Sequence, residues 1–81
     1  MKLFVLLFSA VREIAGCESV ELNLPESATV AQARAALLQS LPALAARNGT
    51  LLWAVNNDYA SDDRGLQGTD VVACFPPVSG G

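Results

Sequence analysis

The two most apolar segments of the chain lie at its opposite ends, KLFVLLF at residues 2–8 and DVVACF at 70–75. Both are short and contain Val and Phe, which favours strands over helices. The unbroken apolarity of the first segment predicts burial on both of its faces. Because a chain of 81 residues has room for a single core, we expect these two strands to lie side by side and parallel in the middle of one sheet.

The intervening residues predict two further full strands, a short edge strand and one main helix. Residues 18–24, ESVELNL, alternate polar and apolar side chains as a half-buried strand does. Thr29 and Gln32 have the spacing of a capping box at a helix start. The helix that follows has an apolar face made of Val30, Ala33, Leu37 and Leu41.

LLWAVN at 51–56 predicts the next strand, Asn56–Asp58 a turn and Tyr59 a short edge strand. A helical turn is expected from Ser9 to Gly16, and Leu66 is the expected core anchor of the polar loop that follows the edge strand. One amphipathic helix packed on one face of a small mixed sheet is the simplest arrangement of these elements. The predicted fold class is therefore α+β, a β-grasp or ubiquitin-like fold.

The last residues, FPPVSGG, predict a tail that leaves the domain. Pro76 and Pro77 lack the N–H group that strand pairing needs, and they keep the chain extended. Beyond them, Val78–Gly81 reach about 13 Å, and glycines permit a close approach to another protein. We expect a β-grasp domain at 1–75 and a flexible C-terminal tail at 76–81; a frayed end is the plain alternative.

Composition excludes several classes of partner and site. The net charge of −3 and the absence of a basic run argue against nucleic acid, and Lys2 is the only lysine, which argues against an anionic membrane. There is no histidine, and Cys17 and Cys74 are far apart in sequence, so we expect no metal site. Free thiols in a reducing cytoplasm are favoured over a single disulfide.

A lipoprotein signal is the alternative interpretation of the N-terminus. IAGC at 14–17 follows an apolar run, and cleavage before Cys17 would make it the lipidated residue. Arg12 and Glu13 interrupt that run close to the cleavage point, which argues against insertion into a membrane. The run is also shorter than the roughly 20 residues that a membrane-spanning helix needs.

Three segments closely resemble the MoaD family of sulfur carriers, the small subunits of molybdopterin synthase. VREIAG at 11–16 matches the family's VRE segment and its glycine, LLWAVN at 51–56 matches its LLxAVN strand, and DVVACFPPVSGG at 70–81 matches its C-terminal motif. The last match is the most specific. Cys74 stands where the family often has an aromatic residue, which we interpret as a change of core packing.

The resemblance implies a sulfur-transfer function carried by the carboxylate of Gly81. In this family an ATP- and Mg²⁺-dependent activating enzyme, related to ubiquitin-activating enzymes, forms an acyl-adenylate, and sulfur from a persulfide donor converts it to a thiocarboxylate. The large synthase subunit then transfers that sulfur to a cyclic pyranopterin precursor, which yields the dithiolene. The implied assembly has two small and two large subunits. The chain would be part of a cytoplasmic enzyme, with no bound cofactor and no complete catalytic machinery of its own.

The resemblance also implies which residues act. Gly81, preceded by Gly80, carries the reactive group, and the implied partner contacts are Phe75, Pro76, Pro77, Val78, Ser79, Phe8, Arg12 and Tyr59. Strand alternation independently places Phe75 on the open sheet face. Ordinary roles remain open for three of them: Phe8 as a core residue, Tyr59 as an edge-strand packer and Arg12 as a solvated charge. Other functions also remain open, namely a carrier for thiazole biosynthesis, a protein-conjugating modifier and a binding module without covalent chemistry.

Overall fold

The computed structural model describes residues 1–77, apart from the side chain of Asn48. Five strands, two α-helices and a 3₁₀ helix follow one another along the chain. They are β1 (Lys2–Leu7), α1 (Ser9–Ala15), β2 (Ser19–Asn23), α2 (Val30–Ser40), the 3₁₀ helix (Pro42–Thr50), β3 (Leu52–Val55), β4 (Asp58–Tyr59) and β5 (Val72–Phe75). None of these helices is long and apolar enough to cross a membrane.

The sheet has the strand order β2-β1-β5-β3-β4. β1 and β5 are parallel, with Val5 opposite Val72, and the other pairs are antiparallel. The predicted parallel pairing of the two terminal strands is therefore confirmed, and β5 occupies the centre. A mixed sheet with this order and with α2 on one face is the β-grasp arrangement that the sequence predicted.

Local sequence determines where both helices begin and end. In α2 the Thr29 side chain accepts a hydrogen bond from the Gln32 N–H, and the Gln32 side chain accepts one from the Thr29 N–H, which confirms the capping box. Gly16 ends α1 in the left-handed conformation, at φ 73°, where a Cβ would be strained. After α2, Pro42 begins the 3₁₀ helix, because proline is tolerated in a first turn.

One apolar core fills the space between α2 and the sheet. Its larger members are Leu3, Val5, Leu7, Val11, Leu22, Leu24, Val30, Leu37, Leu44, Leu51, Trp53, Val55, Leu66, Val72 and Cys74. Leu66 anchors the loop before β5, as predicted. Cleavage before Cys17 would remove β1 and its three core leucine and valine side chains, so the lipoprotein alternative would dismantle this sheet.

The prediction that β1 is buried on both faces is wrong. Leu3, Val5 and Leu7 are buried under the helices, whereas Phe4 and Leu6 on the other face are 58% and 38% exposed. The reason is that α2 covers only one side of the sheet, and no other described element covers the second side. The apolar run thus corresponds to an inner strand, β1, which has β2 and β5 as neighbours. The face of β1 that carries Phe4 and Leu6 is part of the protein surface.

The start of β5 is fixed by the turn after β3. Asn56 and Asn57 adopt positive φ there, and the Asn56 side chain donates to Asp70 Oδ1 at 3.0 Å and accepts from the Val71 N–H at 2.9 Å. The second Asp70 oxygen accepts from the Gln67 N–H at 2.8 Å. The Gln67 and Asn56 hydrogen bonds lower the pKa of Asp70 below its usual value.

Candidate functional site

Phe75 ends the central strand on the open face of the sheet, and the tail follows it. Its side chain is half-buried, and its ring contacts that of Tyr59 from β4, with 5.8 Å between centroids and an interplanar angle of 57°. Tilted contacts of this kind are favourable for aromatic rings. Tyr59 itself is 72% exposed. Pro76 and Pro77 come next, outside the sheet, as their missing N–H groups require.

Phe8 lies at the same end of the sheet, on the other side of Phe75. It continues the alternation of β1, and its N–H donates to the Cys74 carbonyl at 3.3 Å. It is 47% exposed, so it is not the core residue of the alternative interpretation. We call Phe8, Tyr59 and Phe75 the tail-root cluster, because β1 and β4 place the first two on either side of the strand that leads into the tail.

Arg12 lies on α1, at the same end of the sheet. Its guanidinium donates to Glu18 Oε1 at 2.6 Å, and the Glu18 carbonyl accepts a hydrogen bond from the Leu7 N–H at 2.8 Å. Both side chains of the ion pair are largely exposed, so the pair contributes little to folding. The ion pair lies on the surface at the end of β1, where a partner can reach either of its side chains.

Phe75, Phe8, Arg12 and Tyr59, for which the family resemblance implies partner contacts, therefore lie towards one end of the sheet, and the rings of Phe75 and Tyr59 touch. That they touch a partner remains a prediction. Pro76 is half-buried and Pro77 exposed. The other implied tail residues, Val78, Ser79, Gly80 and Gly81, lie outside the described residues.

Sequence interpretation missed three exposed apolar residues of the open face, Phe4, Leu6 and Val71. It had assigned the first two to the core and Val71 to no function. Strand alternation carried the information: once Leu3, Val5 and Leu7 face the helix, Phe4 and Leu6 must face away from it. Within residues 1–77, no three acidic or cysteine side chains come together as ligands for a metal ion.

The two cysteines are free thiols in opposite environments. Cys17 is exposed in the loop after α1, whereas Cys74 is fully buried in β5. Burial raises the pKa of the Cys74 thiol to about 11, because the thiolate is poorly solvated there. Cys74 is therefore unreactive on two grounds, accessibility and protonation.

We expect iodoacetamide at pH 8 to alkylate the folded protein once, at Cys17. Only the thiolate reacts, and Cys74 is both buried and protonated at that pH. Peptide mass mapping would locate the adduct, and denaturation before alkylation should add a second one at Cys74. Modification of Cys74 in the native protein at a rate comparable to that of Cys17 would contradict the buried placement of this side chain.

Comparison with known proteins agrees with this architecture. The ThiS family model matches residues 5–81. The molybdopterin synthase sulfur carrier subunit of Escherichia coli is 42% identical over 79 residues, which cover 95% of this chain and 96% of that protein. The crystal structure of SAMP1 from Haloferax volcanii matches with a TM-score of 0.88 at 31% identity, with 100% of both chains covered.

A more distant match comes from a protein–protein complex of subunits 1 and 2 of the molybdopterin-converting factor from Helicobacter pylori. The matching chain is 24% identical, with a TM-score of 0.71 and 100% of both chains covered. At that identity the match shows the shared fold alone. The family model and the Escherichia coli relative together cover nearly the whole sequence, including the tail-root cluster. The chain therefore belongs to the ThiS family, and it is similar over nearly its whole length to sulfur carrier subunits of molybdopterin synthase.

Proposed function

We propose that this protein is the sulfur carrier subunit of a molybdopterin synthase, with the carboxylate of Gly81 as the group that carries sulfur. The observation that supports it best is the position at which β5 ends. The central strand β5 leads through Phe75 into two prolines, beside an exposed aromatic cluster and the Arg12 guanidinium. The sheet thereby presents the first residues of the tail, Pro76 and Pro77, and a candidate docking surface at the same end.

The chemistry starts from a carboxylate, which is a poor electrophile because it is a resonance-stabilised anion. A separate activating enzyme would use ATP and Mg²⁺ to form an acyl-adenylate at Gly81, with release of pyrophosphate. AMP is then a good leaving group, and the outer sulfur of a persulfide donor displaces it to form an acyl disulfide. A thiol then reduces the S–S bond, which releases the thiocarboxylate and leaves a disulfide between that thiol and the donor. The resulting thiocarboxylate is the nucleophile that delivers sulfur to the pyranopterin precursor, in the active site of the large subunit.

The described residues supply docking rather than catalysis. The sequence has no histidine, and its only lysine, Lys2, lies at the start of β1. Because β1 and β5 are parallel, the start of β1 is at the end of the sheet opposite the tail. Of the two thiols, Cys74 is buried and protonated. General acid–base groups for the reaction would therefore come from the partners.

Docking has to offset the cost of ordering the tail. Fixing a residue's backbone costs on the order of 1–2 kcal/mol, so four tail residues require several kcal/mol from contacts elsewhere. The tail-root cluster and Arg12 offer apolar area and charge for this purpose. We propose that they contact the large subunit in an assembly of two small and two large subunits, in the cytoplasm.

The decisive test is an intact-mass measurement after incubation with ATP, Mg²⁺, a persulfide sulfur source and the cognate activating enzyme. We expect the mass to change by the replacement of one oxygen with sulfur, and fragmentation to place that change at Gly81. Omission of ATP is the control and should leave the mass unchanged. Sulfur found at Cys17 instead of the terminus would refute this carrier mechanism.

The same measurement addresses a protein-conjugating modifier, which the likeness to SAMP1 brings into consideration. A modifier predicts isopeptide-linked adducts to amines of other proteins and no stable thiocarboxylate. A carrier for thiazole biosynthesis predicts the thiocarboxylate, but no sulfur transfer to the pyranopterin precursor when the large synthase subunit is added. Each rival thus differs from the proposal in a product that mass spectrometry detects.

A further inference from the structure

The open face carries a second exposed apolar patch, at the end of the sheet away from the tail. Phe4 and Val71, which sit on neighbouring parallel segments, are 58% and 55% exposed. They directly precede Val5 and Val72, which are paired in the sheet. Leu6, two residues beyond Phe4, is also exposed. We call Phe4, Leu6 and Val71 the distal patch.

The distal patch is continuous with the tail-root cluster. Leu6 pairs with Ala73, which lies one open-face position before Phe75 on β5. Along β1 the open-face positions are Phe4, Leu6 and Phe8, which span about 13 Å at 3.3 Å per residue. Together the patch and the cluster form one apolar stripe along the length of the sheet.

Charged groups border the distal end of this stripe. Glu21 of β2 is paired in register with Phe4, and its carboxylate lies 3.8 Å from the Lys2 ammonium. An apolar centre with a charged rim is the usual composition of a protein–protein interface. A patch of this kind on a small soluble domain would otherwise promote association with unrelated surfaces.

A stable subunit interface needs more area than the tail-root cluster alone provides, which favours a partner that covers the whole stripe. Such interfaces bury roughly 800 Å² on each partner. A fully buried aromatic side chain contributes about 150–250 Å², and the three members of the tail-root cluster are already partly covered by their own domain. The cluster alone therefore supplies at most about half of the area, which leaves the rest to the tail and to the remainder of the open face.

We infer that the distal patch is part of the docking surface for the large synthase subunit, which presents an apolar surface about 13 Å away from the point where the tail enters it. The inference rests on the proposed function. It assigns a binding role to Phe4 and Val71, which are exposed and do not belong to the apolar core. We favour the large subunit over the activating enzyme as the partner of the distal patch. A permanent subunit interface buries more area than a transient encounter does, and the whole stripe offers such an area.

The test measures the dissociation constant for the cognate large subunit by calorimetry, with the full-length chain and its Phe4→Ser/Val71→Ser variant. We expect the double variant to bind at least tenfold more weakly, since two apolar contacts are lost. Phe4→Leu keeps the apolar area and should bind within a factor of about three of the unchanged chain. Circular dichroism and urea unfolding would show that the fold is retained, and Phe4→Lys alone repeats the test if the double variant unfolds.

Three outcomes would overturn the inference. The folded double variant could bind the large subunit as tightly as the unchanged chain. It could bind normally but be thiocarboxylated much more slowly, which would assign the patch to the activating enzyme. The unchanged chain could form a dimer that the double variant does not form and that the large subunit does not displace, which would assign the patch to a second copy. The proposed function fails separately, if the unchanged chain acquires no sulfur at Gly81.

Discussion

Deletion of Gly81 is expected to abolish sulfur transfer, with a loss of at least a thousandfold in synthase turnover, while the domain stays folded and still binds its large subunit. The shortened chain ends at Gly80, so it keeps a glycine carboxylate and loses only reach. One residue corresponds to about 3.3 Å, and misplacement of a reacting atom by about 1 Å can already cost a hundredfold in rate. The expected defect is thus one of position and not of chemistry.

Turnover of the pyranopterin precursor and the affinity for the large subunit would be measured side by side. The affinity should change little, because the docking surface of the open face is intact. An alanine added after Gly81 is the companion variant: it lengthens the chain by one residue and replaces the glycine terminus, and it too should be inactive. Normal turnover by the shortened chain would eliminate the terminal carboxylate as the sulfur carrier.

Trp53→Ala is expected to destabilise the domain by about 3–5 kcal/mol, the usual cost of removing a large buried aromatic side chain. Trp53 is among the largest fully buried side chains, and in the sheet it pairs with Cys74 of the central strand. Domains of this size are commonly stable by about 5–15 kcal/mol. The variant would therefore lose a substantial part of its stability, and a domain near the lower end of that range would be largely unfolded.

Trp53→Phe is expected to cost much less, roughly 1–2 kcal/mol. The indole Nε1 is buried and has no hydrogen-bond partner among the described residues, so phenylalanine removes ring volume without breaking a protein hydrogen bond. Urea unfolding followed by far-ultraviolet circular dichroism would measure both variants, since the only tryptophan is lost. Leu52→Ala is the control, because Leu52 is adjacent to Trp53 in β3 but lies on the open face. If Leu52→Ala lowered the free energy of unfolding as much as Trp53→Ala does, a core on one face of the sheet would be contradicted.

The pairing of the terminal strands could be predicted because both carry dense apolar patterns that only a shared core can accommodate. Thr29 and Gln32 were equally informative, since a capping box is a local interaction. The exposure of Phe4 was mispredicted although alternation implied it, because the unbroken apolar run of β1 was interpreted as burial on both faces. An apolar run shows that a strand can be buried on both faces, but which faces are covered depends on the elements that pack against the sheet.

The arrangement of charge at the tail root also lay beyond sequence reasoning. Arg12 and Glu18 are six residues apart, which is not a helical spacing, and they meet because Gly16 turns the chain back after α1. Likewise β5 begins at Val72 and not at Asp70, because the N–H and the carbonyl of Val71 are both engaged by Asn56 in the preceding turn. These contacts depend on tertiary placement, whereas the position of Phe75 on the open face followed from alternation alone.

The central position of β5 has a consequence for biogenesis. β5 joins β1 to β3, and among the described strands it is the last to leave the ribosome, so the sheet cannot close until Phe75 has emerged. Pairings between residues so distant in sequence form late and slowly. A nascent or prematurely terminated polypeptide would expose unpaired strand edges that chaperones and proteases recognise. Chaperones and proteases are therefore expected to recognise chains in which β5 is missing or unpaired, and β5 is also the strand that leads into the tail.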